Sequence, residues 1–438
     1  MIKKTDELIV SDSFYGPLLG INSINRGKST LIVDDKNFSL GKFYTISKSL
    51  FDVKTIESIN KLNHVELEVE LYRSIELELI FQGNKRICFS NNIVNNLIEI
   101  NRKFGANNNF SFDQDSLLSQ IEIISLNALT SGNKDFTKFC EAYLDKKLNQ
   151  IIESYWKSFI DESEDLSFRY LILFFRSFYH WNFGLQISRS EFYLLFLKII
   201  SGPCEIYNNS IKSEYLNIFK GLGGTYKKAH INDLIFDNGK PWSIELSTYD
   251  GVLHPKRVLL LGNSSEYGAL SLKLDRFYSY YYERYNNISS PKEDLYNKVT
   301  VLFDEKAISS SRPYLVVKEN ETDLEVFQFY RSGPTSKADF FVKSVRSELS
   351  DFFNNHLLLD INKYKLLQVE EKVDLVGFDE APLITNSYDE NFVPKFPDIF
   401  YFNGPSSYIK TKNITYLGQQ NCNKEGLDSL IGRFSLEI

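Results

Sequence analysis

The chain has 438 residues, 43% of them hydrophobic and 24% charged, with a formal net charge of −7. That length exceeds one simple core and predicts two domains. The negative balance excludes recruitment to nucleic acid or to an anionic membrane by bulk electrostatics.

Aromatic residues make up 15% of the chain, which implies large apolar surfaces to bury. Cys88, Cys140, Cys204 and Cys422 are scattered without a C-x-x-C pair, so they read as reduced, buried thiols and no metal ligands are nominated. Lys3-Lys4 precedes no apolar stretch of the signal-peptide kind, and the apolar run Tyr170 to Phe178 is interrupted by Arg176. A soluble cytoplasmic protein without a transmembrane segment is the expectation.

In chain order, Leu8-Ile9-Val10 reads as a short buried strand and Ser11 to Gly16 as a turn. Pro17 to Gly27 follows as a helix, and Thr30 to Val33 as a second strand ending in Asp34-Asp35. A strand, tight turn, helix and strand ending in an acid opens a dinucleotide-binding unit, with pyrophosphate on the helix N-terminus and the acid on a ribose hydroxyl. Matching G-x-G-x-x-G to Asp12, Phe14 and Pro17 leaves Gly16 as the surviving glycine and puts Phe14 where a phosphate would rest. Asp35 then lies near the ~20-residue spacing of the acid in the fingerprint.

Glu66 to Glu78 alternates acidic and apolar residues and predicts a half-exposed strand or strand pair with a solvated acidic face. Ile80 to Phe89 reads as a hairpin. Phe136 to Phe159 carries apolar residues at spacings of three and four and predicts a helix; Leu166 to Phe183 and Glu191 to Ile200 continue the helical block. His180 in that block reads as a core or rim residue. Ser213 to Lys220 predicts a helix ending at Gly221. Strands follow at Ile231 to Phe236, Trp242 to Thr248 and Arg257 to Leu261, with Asn238-Gly239 marking a hairpin. Asp275 to Asn287, dense in tyrosine, is expected to be a helix. Strands are expected at Val299 to Phe303, Tyr314 to Lys318 and Glu325 to Tyr330, a helix at Ser336 to Phe353, and a last strand at Asn413 to Gly418 before a helix that opens at Lys424.

Asp35 to Thr45, with Gly41-Lys42-Phe43, resembles the segment E-x-x-x-x-x-G-G-R-x-x-T of the FAD superfamily of phytoene desaturases, amine oxidases and protoporphyrinogen oxidases. It is also similar to the corresponding segment of the Rab GDP-dissociation inhibitors, which share that fold. Gly41 is kept, while Lys42 stands for the second glycine and Phe43 for the arginine. Gly223-Gly224-Thr225-Tyr226 through Lys240 resembles the middle of the superfamily, with Ile231 at the position whose backbone holds adenine. Gly418-Gln419, then Gly426-Leu427, is similar to the closing motif, with Gln419 where an acid is usual.

The resemblance implies an α/β fold: an FAD/NAD(P)-binding Rossmann-like domain with an inserted α+β substrate-binding domain. Residues 1–65, 201–265 and 395–438 would form the first, and 66–200 with 266–394 the second. Gly16, Asp35, Gly41, Lys42, Ile231, Gln419, Gly426 and Leu427 would bind the cofactor, an FAD held weakly or lost. Two functions follow. One is an FAD-dependent oxidoreductase, desaturase or isomerase acting on an apolar or amine-type small molecule or a modified peptide. The other is a non-catalytic binding or escort protein that has lost FAD and serves a protein partner. No residue stands out as a catalytic base.

Overall fold

The computed structural model describes residues 3–36, 48–81, 85–105, 111–130, 136–161, 168–169, 171–172, 174–175, 187–237, 240–246 and 252–261. Beyond these it describes the strands 277–287, 299–302, 314–318, 323–332, 364–374, 399–401, 408–410 and 414–417. Strand β1 (Lys3–Val10) lies at the centre of the first sheet, between β2 (Thr30–Asp34) and β11 (Val252–Leu261), and is parallel to both. β8 (Thr225–Lys228) extends the sheet beyond β2, and β19 (Ile414–Leu417) extends it beyond the C-terminal half of β11. These pairings are parallel too, so in chain order the five strands run 3-2-1-4-5. That is the strand order of a doubly wound dinucleotide-binding sheet, whose ligand crevice opens at the carboxyl ends beside the first strand. Ile414 to Leu417 thus joins the same sheet as Leu8 to Val10, as the sequence predicts. The hairpin β9 (Ile231–Asp237) and β10 (Lys240–Leu246) adds antiparallel strands to the N-terminal end of β11.

Helix α1 (Tyr15–Asn25) crosses between β1 and β2, and Tyr15 through Ser23 are all buried. It reaches this depth through small residues. A Cβ on Gly20 would lie 2.7 Å from Phe219 Cε2 and 2.9 Å from Ile32 Cδ1. Phe219 belongs to α8 (Asn208–Gly221), which packs on α1 through Ile211, Tyr215 and Phe219 at helical spacing. Asn208 therefore begins this helix earlier than the sequence suggests.

A second, seven-stranded sheet runs in the order β16-β12-β15-β14-β13-β5-β6. Its strands are β5 (Leu77–Phe81), β6 (Lys85–Phe89), β12 (Phe277–Asn287), β13 (Val299–Leu302), β14 (Tyr314–Lys318), β15 (Asp323–Ser332) and β16 (Tyr364–Asp374). β5 and β13 are parallel; every other neighbouring pair is antiparallel. Its apolar core includes residues of helices α3 (Ile93–Phe104), α4 (Gln114–Thr130), α5 (Phe136–Tyr143), α6 (Lys146–Ile160) and α7 (Arg189–Ser201). A small sheet of β3 (Lys48–Ser49), β7 (Pro203–Ile206) and β4 (Tyr72–Ser74) lies next to α2 (Leu50–Leu62) and α7 in the chain. Strands β17 (Ile399–Tyr401) and β18 (Tyr408–Lys410) pair only with each other among the described residues. Helix α2 serves both cores: Phe51 belongs to that of the second sheet, and Val53, Ile56 and Ile59 to that of the first.

Four local expectations are corrected. Asp275 to Asn287 is not helical: Phe277–Asn287 is a strand paired on both sides, with β15 and β16. Tyrosine favours strands, and ladders on both edges outweigh a weak helical pattern. Glu66 to Leu71 is not a strand, because the backbone N–H groups of Glu68 and Val69 donate to the Glu214 carboxylate instead of a neighbouring strand. The helix expected over Phe136 to Phe159 is two helices, since Asp145 caps the second by accepting from Lys147 N at 2.8 Å and Leu148 N at 3.3 Å. Among the cysteines, Cys140 and Cys204 are buried, but Cys88 is exposed. The helix expected at Ser336 to Phe353 lies outside the described residues. Among the described residues, no helix is long and apolar enough to cross a membrane.

Candidate functional site

The crevice is built from the turn after β1. β1 ends at Val10 and α1 begins at Tyr15, so the fingerprint spacing falls on Ser11, Ser13 and Gly16 rather than on Asp12, Phe14 and Pro17. Gly16 occupies the third glycine position and performs its packing role: a Cβ there would lie 3.0 Å from Ser11 Cβ and 3.9 Å from Ile9 Cγ2. The first two positions hold hydroxyls. Ser13 N donates to Ser11 Oγ at 3.0 Å, and the two Oγ atoms lie 2.8 Å apart, both serines buried. This closed serine turn replaces the backbone cradle that two glycines would leave.

Phe14 does not cover a phosphate position. It is 2% exposed and packs in the core against Tyr15, at a ring separation of 4.1 Å, and Tyr215 at 6.4 Å. The one-residue shift in register explains the difference, because it turns Phe14 into the core as the helix N-cap.

Two acids follow at the end of β2. Asp34 Oδ2 accepts from Lys212 Nζ at 2.9 Å and from the Tyr226 hydroxyl. Lys212 Nζ also donates to the Asp12 carbonyl, so one ammonium spans the β1–α1 turn and the acid of β2. Burial, reinforced by the hydrogen bond to Asp34, pushes the Tyr226 hydroxyl well above its usual pKa. Asp35 is fully buried; Oδ2 accepts from Ile231 N at 3.0 Å, and Oδ1 lies 2.8 Å from His230 Nδ1. Its carboxylate thus closes the turn between β8 and β9.

Of the nominated residues, Gly16 lies at the start of α1, and Asp35 and Ile231 meet at the ends of β2 and β9. Gly41, Lys42, Gln419, Gly426 and Leu427 lie outside the described residues. Sequence reasoning missed Asp34, Lys212 and Tyr226. The signal was present: Tyr226 closes the G-G-T-Y run, and Lys212 follows Ile211 at the buried edge of an amphipathic helix.

An FAD needs a ribose-binding acid at the end of β2 and backbone approach at the turn. The strand order and Gly16 fit that group. At the adenosine end both acids already have partners within the chain: Asp34 Oδ2 accepts from Lys212 and Tyr226, and Asp35 is held by His230 and Ile231.

No protein-family model matches the chain, and no curated protein matches it. Solved structures similar to it include a geranylgeranyl bacteriochlorophyll reductase-like protein from Thermoplasma acidophilum, at 9% identity and a TM-score of 0.49, covering 100% of this chain and 78% of that one. A redesigned putrescine oxidase is similar at 11% identity and 0.49, covering 100% and 99%. An oxidoreductase from Methanosarcina mazei is similar at 12% identity and 0.47, covering 99% and 100%. At such scores the fold stands on the strand order itself and the function on the residues.

Proposed function

We propose that this chain is a binding or escort module on a flavoprotein-type scaffold, working without a tightly held dinucleotide. One observation carries the reading: Lys212 bridges the Asp12 carbonyl and the Asp34 carboxylate. An ammonium there competes with a ribose hydroxyl for Asp34 Oδ2 and neutralises the acid meant to receive it. The inserted domain, residues 66–200 and 266–394, would present the partner surface, in the manner of the Rab GDP-dissociation inhibitors.

The test is direct. Purified protein is mixed with excess FAD, and its flavin spectrum and melting temperature are recorded. The expected result is neither a spectral change nor a thermal shift. A ligand at 100 times its dissociation constant stabilises by about 2.7 kcal/mol, so a shift of that size in the wild type would overturn the proposal.

The second reading is an FAD-dependent oxidoreductase, favoured by the third-glycine packing of Gly16 on β1. In that case Gly41, Lys42, Gln419, Gly426 and Leu427 would contribute to the cofactor site, and bound FAD would supply the redox chemistry. A yellow protein on purification would select it.

A further inference from the structure

At the opposite end of α1 from the crevice lies a cavity of about 730 Å³. Three helices end around it, α1, α2 and α8, and each closes with the same pair of backbone hydrogen bonds. Lys28 N donates to Ser23 O and Gly27 N to Ile24 O; Val65 N donates to Asn60 O and His64 N to Lys61 O; Gly224 N donates to Phe219 O and Gly223 N to Lys220 O. This is the Schellman arrangement, whose penultimate donor sits in left-handed backbone and is usually glycine. Gly27 has φ 78° and Gly223 has φ 91°. The third cap breaks the rule. His64 has φ 55°, the one non-glycine residue with positive φ among the described residues.

A side chain costs stability at that position and gains the cap nothing, because the cap uses only backbone atoms. Strained conformations of this kind cluster at ligand sites. His64 lines the cavity with Asn22, Asn25 and Asn63, while Ile21, Ile59, Val65 and Ile218 supply apolar wall. The volume and the apolar wall with a few polar groups are those of a small-molecule site. Charge narrows the class. Each helix C-terminus carries about half a negative charge, and Arg26 is the permanently charged side chain in the lining. Three such termini sum to about −1.5 against the single positive charge of Arg26, and the remaining half charge is screened by water beside the exposed Arg26 and Asn25, so neither a fully anionic nor a fully cationic head finds a matching counter-charge.

We infer that this cavity binds a neutral amphipathic small molecule, its apolar body against Ile21, Ile59, Val65 and Ile218 and its polar head hydrogen-bonded by His64 and the asparagine carboxamides. The eleven residues of α1 separate it from the crevice by about 16 Å. It is therefore independent of the dinucleotide question, and its test involves no flavin.

The full chain is titrated with the neutral fluorophore N-phenyl-1-naphthylamine, then with decan-1-ol, decanoate and decylammonium as competitors. We expect saturable one-to-one binding, with decan-1-ol displacing the probe and the two charged competitors roughly ten-fold weaker. His64→Gly should raise the melting temperature while weakening probe binding about ten-fold, a split that a purely structural residue would not produce. Ile218→Trp should put an indole across the apolar wall, narrow the cavity and weaken probe binding. Non-saturable binding by the wild type, a preference for either charged competitor, or unchanged probe affinity in His64→Gly would each overturn the inference.

Discussion

Asp52 and Lys198 form a buried ion pair where the two cores meet, and separating their contributions tests how that junction is held. Lys198 Nζ lies 2.8 Å from Asp52 Oδ1, with the two side chains 1% and 4% exposed. Asp52 also closes the capping box of α2, accepting from Ser49 N at 3.2 Å. At that separation the gross attraction is roughly 6 kcal/mol for an effective dielectric of 20, and desolvation of both groups offsets much of it. Removing one partner is the damaging change, at about 3–5 kcal/mol, because it leaves the other charge buried. Asp52→Asn keeps an acceptor for the cap, so its effect reports charge rather than capping. We expect Asp52→Asn and Lys198→Met each to lower the urea unfolding free energy by about 3–5 kcal/mol, and the double variant to lose clearly less than their sum. Burial alone would push the Asp52 carboxyl up, yet Lys198 and Lys48 together hold it below its usual value. Its contribution is thus fully present above the unfolded carboxylate pKa of about 4 and disappears as pH falls through the lower folded value. The wild type should lose stability more steeply than Asp52→Asn below about pH 4. Strictly additive losses, or single variants within about 0.5 kcal/mol of wild type, would refute the reasoning.

Other expectations concern backbone fit and the crevice. Gly202→Ala places a Cβ 1.8 Å from the Ser90 carbonyl oxygen at φ 82°, so soluble expression should collapse; a variant melting within a few degrees of wild type would contradict the geometry. Gly223→Ala meets nothing within 4 Å but carries φ 91°, so it should cost only the left-handed penalty of about 1–2 kcal/mol in a urea titration. Lys212→Ala combined with Tyr226→Phe releases Asp34, and a thermal shift with FAD should then appear in the variant but not in the wild type. Absence of any shift in the variant would mean that the serine turn, rather than Lys212, closes the crevice.

The first β-α-β unit was legible because its signals are local: an apolar triplet, a turn, a helix and an acid. Asn238-Gly239 predicted the β9–β10 hairpin for the same reason. Residues whose state is fixed by distant partners were not legible. Phe277–Asn287 becomes a strand through β15 and β16, and Glu66 to Leu71 is kept out of a sheet by Glu214. In the site the error was one of register. Counting from Asp12 instead of Ser11 puts Phe14 at the phosphate position, whereas the structure buries it in the core. The ends of β1 and α1, together with the packing of Gly16 on Ser11 and Ile9, fix the alignment, and that contact is invisible along the chain.

Helix α2 has a consequence for how the molecule comes apart. Phe51 on this helix is part of one core, and Val53, Ile56 and Ile59 are part of the other, so neither core can lose α2 and stay intact. Thermal unfolding should therefore be a single cooperative event, and expressing residues 66–200 separately should give a fragment that exposes the place where Phe51 sat. Such a fragment would aggregate or bind a hydrophobic dye, while the full chain would melt in one calorimetric peak.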